Sequence, residues 1–138
     1  MFGWIRRLKN ILASKAEEFI DRFEDPKIAL NQLLTDMQGD IQSSKVALGT
    51  SQVEAKRARN SQKSFELDAA KYRSSAEKYM KEGDVEHAKL MLRRAVEADN
   101  TASSFKNAAD KLEFDASNLR ESIRSKENKY KQAKNTKH

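Results

Sequence analysis

Ala76-Glu77-Lys78-Tyr79-Met80-Lys81-Glu82-Gly83-Asp84-Val85-Glu86-His87-Ala88 decides the fold. Gly83 can close a helix in the left-handed conformation that other residues avoid, and Asp84 can cap the helix that follows. On the N-terminal side, apolar residues recur at alternating steps of four and three. They are Leu30, Leu34, Met37, Ile41, Leu48, Ala55, Ala58, Phe65, Ala69, Tyr72, Ala76 and Tyr79, with Ser44, Ser51 and Gln62 in the remaining places. On the C-terminal side the same period runs through Ala88, Met91, Ala95, Ala98, Ala102, Phe105, Ala109, Leu112, Ala116, Leu119, Ile123, Tyr130 and Ala133, broken only by Lys126. Such a repeat is a coiled-coil seam.

Folded about Gly83, the two seams match. Tyr79 meets Ala88, Ala76 meets Met91, Tyr72 meets Ala95, Phe65 meets Ala102, Gln62 meets Phe105 and Leu48 meets Leu119. Large side chains mostly face small ones, which permits close approach without voids. Ala69 against Ala98 is the tightest point. At 1.5 Å per residue, the pattern predicts an antiparallel hairpin roughly 80 Å long.

The one proline, in Phe23-Glu24-Asp25-Pro26, ends whatever helix precedes it, and Asp25 can cap a new helix starting at Pro26. Before this elbow, Phe2, Ile5, Leu8, Leu12, Ala16, Phe19, Ile20 and Phe23 fall on one half of a helical wheel, with Trp4 and Ile11 at its edge. Arg6, Arg7, Asn10, Ser14, Glu17, Glu18 and Asp21 take the other half. Lys9 and Lys15 sit at the borders, where long stems lie along hydrocarbon and the ammonium stays wet. A bulky face with an early basic cluster suits a helix lying in a membrane interface. The same face could instead pack in a protein core.

The sequence is therefore read as all-α: an amphipathic N-terminal helix followed by a long antiparallel coiled-coil helical hairpin. Residues 1–24 form the membrane-binding helix and 25–138 the hairpin, with helices over about 26–81 and 85–134 and a turn at 82–84. Composition agrees. Of 138 residues, 38% are hydrophobic and 35% charged, with only four glycines and one proline, which favours long helices over a mixed fold. No cysteine is present, so thiol and disulfide chemistry are excluded. No apolar run reaches the ~20 residues that span a bilayer. Polar residues at 6, 7, 9 and 10 break up any signal-peptide core, so the start is expected in the mature chain.

The net charge of +6 fits an anionic lipid surface. The tail from Arg124 to Lys137 could follow phosphates, but no groove-reading motif or exposed aromatic set argues for nucleic acid. Asp84 and His87 share a helical face near the turn without the further inward carboxylates of a metal bundle. No catalytic residue, metal or cofactor is expected. Glu77 with Lys81, and Glu127 with Lys131, have the spacing of weak surface pairs. Leu33, Val46, Val53, Leu67, Leu90 and Phe114 lie off the seam, which points to lateral packing of copies or to the first helix folding back.

The amphipathic start, the Glu24-Asp25-Pro26 elbow, the opening Leu30, Leu33, Leu34 and Met37, and the tip Gly83-Asp84-Val85-Glu86-His87-Ala88 together resemble the phage shock protein A and inner-membrane-associated thylakoid protein family. These are bacterial relatives of the ESCRT-III membrane remodellers. The resemblance implies a non-enzymatic, cytoplasmic, peripheral protein on the inner face of the plasma membrane. Such a protein self-assembles into rods, rings or filaments that remodel, stabilise or repair anionic membranes. It also implies a second role, as a coiled-coil regulator of an enhancer-binding AAA+ ATPase that activates stress transcription. Carried over by position, Phe2, Trp4, Ile5, Arg6, Arg7, Leu8, Lys9, Ile11, Leu12, Lys15 and Phe19 are the membrane-binding residues. Glu24, Asp25 and Pro26 are the hinge, and Gly83 and Asp84 the hairpin turn. Family members continue with further helices beyond the hairpin, whereas this sequence closes in a lysine-rich run to His138, as a shortened relative or an excised piece would.

Overall fold

The structure, a computed structural model, describes residues 3–12, 22 and 24–136. Three helices appear in them: α1 (Gly3–Leu12), α2 (Pro26–Lys81) and α3 (Val85–Asn135). Helices α2 and α3 pair antiparallel as a hairpin, preceded by the short α1. The chain divides into two compact units. One comprises Met1–Gly49 with Ser117–His138, and the other Thr50–Ala116.

The start of α2 is set locally. Pro26 takes the first helical position, where its missing N–H costs nothing. Asp25 Oδ1 accepts from the Lys27 N–H at 2.9 Å, and the Asp25 carbonyl accepts the first helical bond, from Ala29 N–H at 3.1 Å. Just past α3 lies the buried Thr136, whose hydroxyl and N–H both donate to the Ala133 carbonyl.

In the second unit the tip is closed by two backbone bonds. Asp84 N–H donates to the Tyr79 carbonyl at 2.9 Å and Gly83 N–H to the Met80 carbonyl at 3.1 Å. Gly83 has φ of 80°, the left-handed geometry this double bond requires. Asp84 then caps α3. Its Oδ1 accepts from His87 N–H at 3.2 Å, and its Oδ2 lies 2.6 Å from His87 Nδ1. The His87 ring stacks on Tyr79 with centroids 5.2 Å apart, so both ends of the turn are held.

The backbone hydrogen bond from His87, and then the His87 ring, hold the Asp84 carboxyl below its ordinary value of 3.8. A lowered folded pKa means that the stabilisation is present above the unfolded value and is lost as pH falls through the folded one. Asp84→Asn is therefore expected to lower the melting temperature at neutral pH, with the gap from wild type closing in acid. A thermal melt series from neutral pH downward checks this.

Within this unit every seam position is buried or half-buried. Ala69 and Ala109 have no exposed surface, and Ala55, Ala58, Ala76, Ala88, Ala95, Ala98, Ala102 and Ala116 are all buried. Polar contacts at the edges fix the register. Arg59 reaches across from α2, with Nη2 2.8 Å from Asp110 Oδ1 and 2.9 Å from Glu113 Oε2. These hydrogen bonds, Asp110 first, raise the pKa of its guanidinium. Arg73 pairs with Asp99 in the same way.

Phe105 stacks on Phe65, one layer nearer the turn than its seam partner Gln62, with centroids 5.7 Å apart. Long side chains on a helix lean toward its N-terminus, which carries the Phe105 ring one layer along to Phe65. Gln62 turns aside, accepting from Arg59 and donating to Glu66.

Candidate functional site

The unit that holds α1 brings it onto the first turns of α2 and the last turns of α3. Leu8 is the centre. It has no exposed surface and is enclosed by Ala29, Leu30 and Leu34 of α2 and Ala133 of α3. Trp4 and Leu12, one turn to either side on α1, pack on the same cluster with Leu33, Met37 and Tyr130. Ala29 and Ala133 are fully covered, and their small size lets α1 approach closely. Burying one leucine is worth about 1.5–3 kcal/mol, so this contact is sizeable for a ten-residue helix that would not form alone in water.

The opposite face of α1 is wet. Arg6, Arg7 and Asn10 are exposed. Half-buried Ile11 borders two shallow grooves against α3, one reaching Gln132, Asn135 and Thr136, the other Arg124, Asn128 and Lys129. Of the expected membrane-binding residues, the structure thus gathers Trp4, Leu8, Ile11 and Leu12 on one side of α1, with Arg6 exposed opposite them and Arg7 exposed at the flank, where it borders a groove with Ile11. Ile5 and Lys9 belong to α1, but their side chains lie outside the described residues, as do Phe2, Lys15 and Phe19 altogether. Of the elbow residues, Glu24 and Asp25 are exposed and Pro26 is half-buried.

Of the receiving surface on the hairpin, the sequence marks Leu33 as off the seam, with the first helix folding back as one of two explanations. The signal for the whole surface is the width of the apolar face that opens α2. Ala29, Leu30, Leu33, Leu34 and Met37 cover more than the two-position stripe that a single partner helix fills, so a third helix has room. Leu33 is covered in this way, while Val46, Val53, Leu67, Leu90 and Phe114 stay exposed.

Below this cluster the seam contains two polar interruptions, and they meet each other. Lys126 Nζ donates to Ser44 Oγ at 2.9 Å and lies 3.0 Å from Asp40 Oδ2. Ser44 itself is buried. Glu127 is the one acid that departs from expectation in this unit. It pairs across the hairpin with Lys45 at 3.4 Å, because its half-buried position aims it at α2 and away from Lys131. Glu77 does reach Lys81 in the other unit, at 3.9 Å. Among the described residues no three of His, Cys, Asp or Glu gather as a metal set, and no helix is long and apolar enough to cross a membrane.

The sequence profile of the PspA/IM30 family matches residues 4–138. The chain belongs to the PspA/IM30 family. LiaH of Bacillus subtilis (strain 168) is 23% identical over 133 residues, covering 96% of this chain and 59% of LiaH. The membrane-associated protein Vipp1 of Nostoc punctiforme is 22% identical over 135 residues, covering 98% of this chain and 52% of Vipp1. The chloroplastic membrane-associated protein VIPP1 of Oryza sativa subsp. japonica is 30% identical over 133 residues, covering 95% of this chain and 41% of VIPP1. The chain spans about half the length of these PspA/IM30 relatives.

Proposed function

We propose that this chain is a non-enzymatic peripheral membrane protein that lays α1 on anionic phospholipid and self-assembles there into rods, rings or filaments. The assembly stabilises or remodels the inner face of the plasma membrane. One observation carries the reading: ten residues present Trp4, Leu8, Ile11 and Leu12 on one side, with exposed Arg6 opposite and exposed Arg7 at the border. That division suits the boundary between acyl chains and headgroups. Each large side chain inserted is worth about 1.5–3 kcal/mol, and each arginine or lysine near anionic lipid about 1 kcal/mol. The names of the rice and Nostoc relatives, membrane-associated proteins both, support the same surface.

Self-assembly rests on the apolar residues that α1 does not cover. Val46, Val53 and Leu67 are 61%, 51% and 63% exposed, and they share one heptad stripe of α2 away from the seam. Lateral contact between copies would cover them, and linked copies hold a membrane far more firmly than one helix can.

Trp4 is the chain's single tryptophan, so its emission reports α1 directly. Vesicles of phosphatidylglycerol with brominated acyl chains are expected to quench it, and raised salt to weaken the quenching. Emission untouched at every lipid concentration would exclude this role for α1.

A further inference from the structure

We propose that the base of the hairpin is an autoinhibitory dock for α1, so that lipid and hairpin compete for the same face of that helix. This rests on the membrane reading above and adds its regulation. Leu8 has no exposed surface in the docked state, and Trp4 and Leu12 lean on the same cluster. A side chain with no exposed surface, packed in one cluster with Ala29, Leu30, Leu34 and Ala133, cannot touch an acyl chain until α1 leaves. At 100° per residue, positions 4, 8, 11 and 12 of a helix occupy an arc of about 100°, so inserting any of them turns all of them away from the hairpin. Docked and inserted are therefore exclusive states.

Arg6 lies opposite the docked face, and Arg7 lies at its flank beside Ile11. Arg6 and Arg7 are exposed while α1 is docked, and remain available to headgroups. Anionic lipid can thus collect the closed molecule through these cations, and insertion follows on opening. Observed affinity is the intrinsic affinity of free α1 reduced by the fraction of molecules that are open. Lipid in turn uncovers Ala29, Leu30, Leu33, Leu34, Tyr130 and Ala133 at the base.

The test breaks the dock from its hairpin side, leaving α1 unaltered. Ala133→Asp sets a carboxylate in the apolar contact, where the cluster residues include no cation to pair it. Ala29→Asp does the same from α2, near a helix N-terminus whose first turn carries no acid and whose dipole favours one, so it keeps the helix if the first variant frays α3. Both full-length variants are compared with wild type on equal-part phosphatidylglycerol and phosphatidylcholine vesicles.

The expected result has two parts. Without lipid, Trp4 emission moves to the red in each folded variant. With lipid, the apparent dissociation constant falls by about tenfold or more. Wild-type affinity in both variants overturns the dock and leaves the membrane reading standing. Red-shifted emission with no gain in affinity also overturns it. Binding by none of the three proteins removes the membrane reading, and the dock with it.

Discussion

Leu8→Asp is expected to abolish binding to anionic vesicles while leaving the hairpin folded. Among the described residues of α1, Leu8 is the large side chain with no exposed surface, and it is central to the face proposed to enter lipid. An aspartate there forfeits about 1.5–3 kcal/mol of leucine burial in either setting, and an unpaired carboxylate adds several kcal/mol more. A loss of 3 kcal/mol or more is about a hundredfold or more in vesicle affinity. The variant resembles Ala133→Asp in lipid-free buffer, because α1 leaves the base in both. It differs on vesicles, where one loses binding and the other gains it. Flotation of the two variants side by side makes the contrast direct. Retained flotation of Leu8→Asp would place the lipid contact elsewhere on the chain.

Ala69→Leu is the second large effect, and it concerns the hairpin. Ala69 is fully buried, and the opposing Ala98 is 7% exposed, so the two helices meet backbone to backbone at this layer. Three added carbons have no space, and overpacking of this kind costs about 1–3 kcal/mol, as the helices must part or the side chain leave its preferred rotamer. Urea unfolding measures it as a lowered midpoint. Leu67→Ala, two residues away and 63% exposed in the parent, serves as the control and should stay within about 0.5 kcal/mol of wild type. An unmoved midpoint for Ala69→Leu would mean that the alanine seam is looser than the burial of Ala69 implies.

The hairpin was legible because its signals are local. Pro26 and Asp25 start α2 with bonds made within four residues, and Gly83 and Asp84 end it and start α3 within six. The seam was legible because period is a property of one helix. Docking of α1 was legible only as one of two alternatives, since a half-apolar helix carries the same pattern whether lipid or protein covers it. Only the breadth of Ala29, Leu30, Leu33, Leu34 and Met37 hinted at a third helix. The Phe65–Phe105 stack and the Lys45–Glu127 pair escaped for a smaller reason. Seam matching locates backbones, whereas the lean of a long side chain decides which neighbour it finds. The family assignment needed the order of elements, and the profile match over residues 4–138 bears it out.

The turn at Gly83 also orders the contacts in time. Cross-hairpin partners are separated by 26 residues for Arg73 and Asp99, by 54 for Arg59 and Glu113, and by 82 for Ser44 and Lys126. Loop-closure entropy rises with separation, and local contacts form soonest. Assembly should zip outward from the glycine, one heptad enabling the next, and the last strands of the zipper are those that create the cradle for Leu8. A nascent chain therefore carries α1 without its cradle until nearly the whole hairpin has emerged and closed.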